Sequence, residues 1–419
     1  GVELRSVSND NLIANNVIET HGSSSSNAGV RLVSSVRTNN ISNNTINTSG
    51  TSDNAGILLT STVGNNTVTA NTIRTNGSSN NNYGISLVTD TNNNTITHNT
   101  IMTDGTNGGI GIFLTSTAHY NNISNNTIYT NGTTSNNDGI LLSTTTDNNK
   151  IIGNTIHTNG TGSNHGIRLL TTTDNNTISN NVITAHGRTS AVNHGIYFDG
   201  DADNNTVRSN TITVGSGGGN SNNGIKAETN SDSNTFADNV ITTDGPGSTN
   251  YGIVLFSSVR DNNVSNNTIN TSGTSTNYGI YLASTSGNNT ITSNTIRTNG
   301  SSTINYGIYF ATDVINNTVS GNTIRTGGVN TNIGIYLVSN ANNNTVFNNT
   351  IYTNGTADGS NFGIQLNSAV RNNNITSNII NTNGTGSNNY GIFLLTATDN
   401  NIIDKNIINA YGTSVSNYG

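Results

Sequence analysis

The chain has 419 residues, of which 30% are apolar and 8% charged, with a formal charge of −7, one proline and no cysteine. Fourteen Lys and Arg against 21 Asp and Glu form no basic patch for a nucleic-acid backbone. No apolar run approaches the roughly 20 residues that would make a transmembrane segment, and no disulfide can form. So low an apolar content would suit a disordered chain, but here the apolar residues stand at fixed offsets.

From the N-terminus onward the sequence is one repeating unit. Each unit opens on a glycine (Gly1, Gly29, Gly56 and so on to Gly391), giving fifteen units 27 to 29 residues apart. With that glycine as position 0, Asn stands at +10 and +15 in every unit, as at Asn66 and Asn71, Asn149 and Asn154, and Asn289 and Asn294. Ile stands at +17 in every unit, and Ile, Val or Phe at +12. A third Asn lies two residues before the opening glycine, at Asn27, Asn54, Asn82 and Asn137 for example, with Gly109 the one exception. All variation in length falls after +21, which reads as a tolerant loop.

Within a unit, the stretches G-I-x-L, N-x-[IV] and N-x-I-x-T space their apolar residues two apart, the period of a strand with one buried face. Gly and Asn mark the corners between them, and no window carries a helical period. Three strands and three corners in about 28 residues predict an all-β fold. It is a parallel β-helix, a solenoid of fifteen coils with three strands per coil, running through residues 1–419 as a single continuous β-helix. The fixed Asn columns predict an asparagine ladder at each corner, every amide bonding the one above and below. Asn also tolerates left-handed backbone angles and bonds its own corner backbone, which suits it to these positions.

The motifs N-N-T-I-x-x-N-T-I-x-T-N-G and N-Y-G-I-x-L cover the whole chain. They resemble the right-handed parallel β-helix repeats of pectate-lyase-like and periplasmic copper-associated proteins. More narrowly, they resemble the Asn/Thr-rich versions in archaeal and bacterial surface-layer and extracellular filament proteins. The resemblance implies a right-handed coil. It says little about function, because the same coil carries lyases, adhesins and scaffolds.

An enzyme on such a coil should interrupt the repeat with a long loop and a cluster of acids and bases. Here the loops differ by two residues at most and the cations are scattered, so no catalytic residue is assigned. One acidic region stands out. Asp147, Asp174, Asp203 and Asp232 share position +8 in four successive units, and Asp199, Asp201 and Glu228 lie near them. Stacked carboxylates repel, and a hard cation with oxygen ligands would relieve them. Asp199, Asp201, Asp203, Glu228 and Asp232 are therefore the candidate Ca²⁺ ligands, beside the plainer reading of solvated turn residues; no other cofactor is expected. His165 and His194, each before an opening glycine, could stack as a metal pair or fill the place that Tyr takes in other units.

Two surface features complete the reading. Position +2 should point outward, and Phe113, Tyr197, Tyr281, Tyr309, Tyr336 and Phe393 there predict an exposed aromatic stripe suited to packing against another rod, with sugar stacking as the rival use. The N-x-[ST] acceptor pattern begins at Asn76, Asn131, Asn159, Asn299, Asn354 and Asn383, all at the corner after the third strand. Carried N-glycans there would place the protein outside the cell. Neither end departs from the repeat, so the sequence reads as an excerpt of a longer chain, or as copies that join end to end. The expected function is structural and non-enzymatic: part of a cell-surface filament, surface layer or stalk, whose partners are itself or adjoining domains. The alternatives are an adhesin or glycan-binding rod, and a polysaccharide lyase or epimerase centred on Asp199 to Asp203.

Overall fold

In the computed structural model, described residues are 1–419 without 24–26, 52, 79–80, 107–108, 134–135, 188–191, 216–220, 247–248, 302–303, 357–358, 386–387 and 413–415. Regular structure among them is entirely β. The chain falls into two compact units, Gly1–Ile212 and Thr213–Gly419, and each is built the same way. One coil of the first unit illustrates it: strands Asn54–Thr60, Thr67–Thr69 and Thr72–Thr75, separated by short corners. Each pairs in parallel with its counterpart one coil on. Ile57 thus lies beside Ile85, Val68 beside Ile96, and Ile73 beside Ile101. Three parallel sheets result in each unit, as the period-2 stretches require. The first strand of a coil starts two residues earlier than the G-I-x-L pattern suggests, at the Asn before the glycine.

The interior is a set of columns. Ile57, Leu59, Val68 and Ile73 are all fully buried, and their equivalents recur coil after coil. Burying a side chain of this size contributes about 1.5–3 kcal/mol, so a coil that is mostly Asn, Thr and Ser still closes a continuous core. The opening glycine is set by close approach. A Cβ on Gly56 would sit 2.1 Å from Ile73 Cγ2 and 2.6 Å from the carbonyl oxygen of Gly84. Strand pairing passes over this residue on both sides.

The Asn columns form ladders at all three corners. Asn71 donates both its main-chain N–H and its Nδ2 to Asn99 Oδ1, each at 3.0 Å. Its Nδ2 also donates to the Ile41 carbonyl at 2.8 Å, while its own Oδ1 accepts from Asn44 at 3.0 Å. The +10 ladder repeats the scheme, as from Asn66 to Asn94 at 3.1 Å. The third joins Asn54 to Asn82 at 3.0 Å. In the second unit the same ladders link Asn289 to Asn317 and Asn294 to Asn322, both at 3.0 Å. Gly109, the exception in the third column, contributes only its main-chain N–H, 3.4 Å from Asn137 Oδ1. A buried amide is costly unless bonded, and these are saturated.

The left-handed angles do not fall where the sequence placed them. At the +10 and +15 ladders they belong to the residue before the Asn, with φ near +57° at Asn65 and +54° at Ala70, and further ones turn the corner after the first strand, as at Ser61 and Thr62. The ladder Asn itself must point its amide inward along the coil axis. The preceding residue makes the turn, and even Tyr120 (φ +57°) and Lys405 (φ +53°) adopt it.

Candidate functional site

On the outer side of the first sheet, the residue before each opening glycine (position −1) and the residue at +2 converge from either side of the bend. In the first unit three consecutive coils place Asp138, His165 and His194 at −1, in register, and Leu141, Arg168 and Tyr197 at +2. His165 and His194 stack with centroids 5.0 Å apart, and Tyr197 lies across them at 5.3 and 4.6 Å. Arg168 lies over the Tyr197 ring, 5.7 Å from its centroid, and donates from Nε to Asp199 Oδ2 at 3.2 Å, with Nη2 on the same oxygen. Only a longer contact, 3.8 Å, reaches Asp138.

One guanidinium thus faces two carboxylates, and Asp199 takes its hydrogen bonds. Asp138 is 1% exposed and its Oδ1 has no hydrogen-bond partner. Burial lifts its carboxyl to about 7, against the pull of Arg168 and with the push of Asp199. Sequence reasoning missed Asp138 and Arg168; the available signal was the one acid in a column otherwise held by Tyr, Phe, His, Ile, Ala and Asn. The two histidines fill the aromatic column, the plainer of the two readings.

The +8 column of the same unit is a hydrogen-bonded stack. The main-chain N–H of Asp174 donates to Asp147 Oδ1, and that of Asp203 to Asp174 Oδ1, both at 2.8 Å. One coil earlier, Asp147 N–H donates to His119 Nδ1 at 3.0 Å. Burial raises the Asp174 carboxyl above its ordinary range; the Asp203 N–H pulls it back, and the Asp147, Asp203 and Asp201 charges push it further. In the second unit Asp232 Oδ1 accepts the Arg260 N–H at 2.6 Å, and Glu228 pairs with Lys226. The candidate Ca²⁺ ligands are placed as follows. Asp199 holds Arg168, Asp201 is exposed, and Asp203 and Asp232 belong to main-chain bonding columns. Among the described residues, no three His, Asp or Glu side chains are gathered as a metal ion would require.

In the second unit the same outer groove is aromatic. Tyr251, Tyr278 and Tyr306 stack at −1 with centroids 5.0 and 5.1 Å apart. Tyr281, Tyr309 and Tyr336 stack at +2, at 5.4 and 5.3 Å. The rows meet edge to face, Tyr278 on Tyr309 at 5.0 Å, and Phe362 continues onto Phe393 at 5.1 Å. Burial pushes the Tyr251 and Tyr309 phenols up to about 12. The exposed stripe expected at +2 is thus not exposed. Phe113, Tyr281, Tyr309, Tyr336 and Phe393 are half-buried and Tyr197 is buried, because the −1 row walls them in. Spacing along one strand cannot reveal a second row across the bend.

The six N-x-[ST] corners, Asn76, Asn131, Asn159, Asn299, Asn354 and Asn383, are all exposed on the outer edge of the third sheet. No helix among the described residues is long and apolar enough to cross a membrane.

The family model described as "right handed beta helix region" matches residues 1–156, 72–212, 162–324 and 274–419. Similar solved structures include Vag8 in its complex with C1 inhibitor (14% identity, 97% of this chain and 99% of that one, TM-score 0.45). The mannuronan C-5 epimerase AlgE4 A-module of Azotobacter vinelandii is similar at 13% identity over 91% of this chain and 90% of that one, TM-score 0.44. The Dettilon tailspike protein is similar at 14% identity and TM-score 0.40; 75% of this chain covers 59% of the tailspike. No curated protein matches the chain.

Proposed function

Because the chain belongs to the right-handed β-helix family along its whole length, we propose that it is a stiff structural segment of an extracellular assembly at the cell surface, a filament, surface layer or stalk, and not an enzyme. The observation that carries this reading is the saturation of the ladders. In each unit, columns of buried Asn amides bond coil to coil alongside three parallel sheets. Bending or local opening would break several bonds per coil at once, and each buried amide left unsatisfied costs about 1–3 kcal/mol. Uniform coils and the closed cluster around Asp138 and the two histidines give a substrate no obvious point of attack. Exposed N-x-[ST] corners support an extracellular location.

Electron microscopy of native material taken from the cell surface, at a resolution that separates strands, tests this. Fibres or a lattice with the coil running through them are expected. Recovery of the protein only from the cell interior, or only as dispersed single molecules, would overturn the reading.

A further inference from the structure

At the corner after the third strand, Asn76, Asn131, Asn159, Asn299, Asn354 and Asn383 are exposed, and each is followed directly by glycine. Glycine carries no Cβ, so its nitrogen is little hindered and can close onto the side chain of the preceding Asn. The first unit shows what a carboxylate does at this corner. There the dipeptide is Asp104-Gly105, and Arg74 on the preceding coil pairs with Asp104 at 3.1 Å. Strand pairing fixes the relation, with Arg74 beside Met102 and Asp104 two residues further on. Asp104 also accepts from Asn131 Nδ2 at 3.0 Å, so the coil accommodates an acid at this place.

The second unit repeats that register with an amide in place of the acid. Arg325 lies beside Tyr352, so Asn354 stands to Arg325 as Asp104 stands to Arg74. Arg325 and Asn354 line one open groove on the outer face of the third sheet. The Arg325 guanidinium is 4.9 Å from the Tyr352 ring centroid and has no ion-pair partner among the described residues. Arg297, in the same row, has Gly327 at the corresponding place and can gain no such partner. The other five Asn-Gly corners have Asn47, Met102, Tyr129, Asn270 and Tyr352 where Asn354 has Arg325. At two of them a ladder amide also ties down the attacking nitrogen. Gly160 N–H donates to Asn164 Oδ1 at 2.7 Å and Gly300 N–H to Asn305 Oδ1 at 3.0 Å.

We propose that Asn354 is a site of spontaneous deamidation, and that the carboxylate formed there completes an ion pair with Arg325. The Gly355 nitrogen attacks Asn354 Cγ and gives up its proton, and the side-chain amide leaves as ammonia. Water then opens the cyclic imide to a carboxylate. The neighbouring guanidinium favours both the loss of the glycine proton and the anionic product. Asn354 Nδ2 is also the acceptor atom of an N-x-[ST] site, so a glycan there and this conversion exclude each other. The conversion does not depend on the mechanical role.

The test holds the full chain, produced without N-glycans, for weeks in mildly alkaline buffer. Aspartate and isoaspartate are then read at each corner by mass spectrometry of the digest. Asn354 is expected to convert at least threefold faster than Asn159 or Asn299. Arg325→Gln should slow conversion at Asn354 at least threefold and leave Asn383 as it was. In a second measurement, Arg325→Gln should lower the melting temperature of the Asn354→Asp chain more than that of the native chain. Both side chains lie on the outer surface, and a single cooperative melt would confirm that each variant folds. Conversion at Asn354 no faster than at Asn299, an undiminished rate in Arg325→Gln, or equal melting shifts in the two backgrounds would each overturn the proposal.

Discussion

The same groove, outside the first sheet, is filled in opposite ways in the two units. In the first, coils around Asp138, His165 and His194 pack a carboxyl, two imidazoles and the Arg168–Asp199 pair. In the second, those positions hold two interlocking rows of tyrosine and phenylalanine. The backbone beneath is the same, with the same glycine at the bend and the same Ile columns behind it. The coil therefore fixes where side chains meet, and leaves their chemistry free on the outer face. Stability should reside in what the two regions share, and responses to pH in what they do not.

The largest effect is expected where the regions coincide. A Cβ on Gly139 would lie 2.2 Å from Ile156 Cγ2 and 2.5 Å from the Gly166 carbonyl oxygen; on Gly307 the matching atoms of Ile324 and Gly334 are at 2.2 and 2.5 Å. Neither a buried Ile nor a paired main chain can give way cheaply, so Gly139→Ala and Gly307→Ala should each cost about 3 kcal/mol or more. Urea unfolding midpoints would measure it. A large cost at one site and none at the other would break the claim of a common frame.

The outer fillings should differ more. Tyr306 touches Tyr278, Tyr309 and Tyr336 and is 8% exposed, so Tyr306→Ala should cost about 2–3 kcal/mol through lost burial and ring contacts. His165→Ala, at the same coil position in the first unit, removes a smaller and more polar ring and should cost about half as much. Equal losses would mean that the aromatic rows add nothing beyond occupancy.

Ladder substitutions come next and should again be indifferent to region. Asn154 Oδ1 accepts from the N–H and Nδ2 of Asn126, both at 3.0 Å; Asn294 does the same for Asn267, both at 2.9 Å. Asn154→Ala and Asn294→Ala should each lower stability by about 2 kcal/mol, because donors on the neighbouring coil stay buried without an acceptor. A loss below about 0.5 kcal/mol in melts of either variant would show that a single rung is dispensable.

Much of this was legible in the sequence because a solenoid writes its geometry as a period. Ile at +17 and Asn at +10 and +15 fix the core and the ladders without any long-range inference. What the period could not reveal was anything that depends on two positions meeting across a bend. The period gives the −1 and +2 rows separately, so tyrosines such as Tyr309 are expected in solvent and Asp138 draws no notice. The turn geometry slipped by one residue for a related reason. Asn is the usual left-handed residue, yet here its amide is engaged along the ladder and the residue before it takes the strained angle, whatever its identity. Charge was legible only as a total. That Asp104 neutralises Arg74 while Arg297 and Arg325 have no ion-pair partner among the described residues is a matter of which coils are adjacent.

The smallest expected effect is the one specific to the first unit. Burial holds the Asp138 carboxyl at about 7, well above its ordinary value of 3.8. Between those two values the folded protein keeps a proton that the unfolded chain has released. Stability from this group is therefore fully present below about pH 4 and falls as pH rises to about 7, after which it levels off. The groups facing it are Arg168, which opposes the shift, and Asp199, which reinforces it. Asp138→Asn imitates the protonated form and should remove this slope. Between pH 6 and pH 8 the native chain should lose about 1.4 kcal/mol more than the variant, from 1.36 kcal/mol per pH unit over the one unit below the folded value. The comparison of the two slopes cancels every other titrating group, including Asp174. Parallel slopes would mean that Asp138 is ionised across the range and shares the Arg168 charge with Asp199, so that the polar filling is as indifferent to pH as the aromatic one.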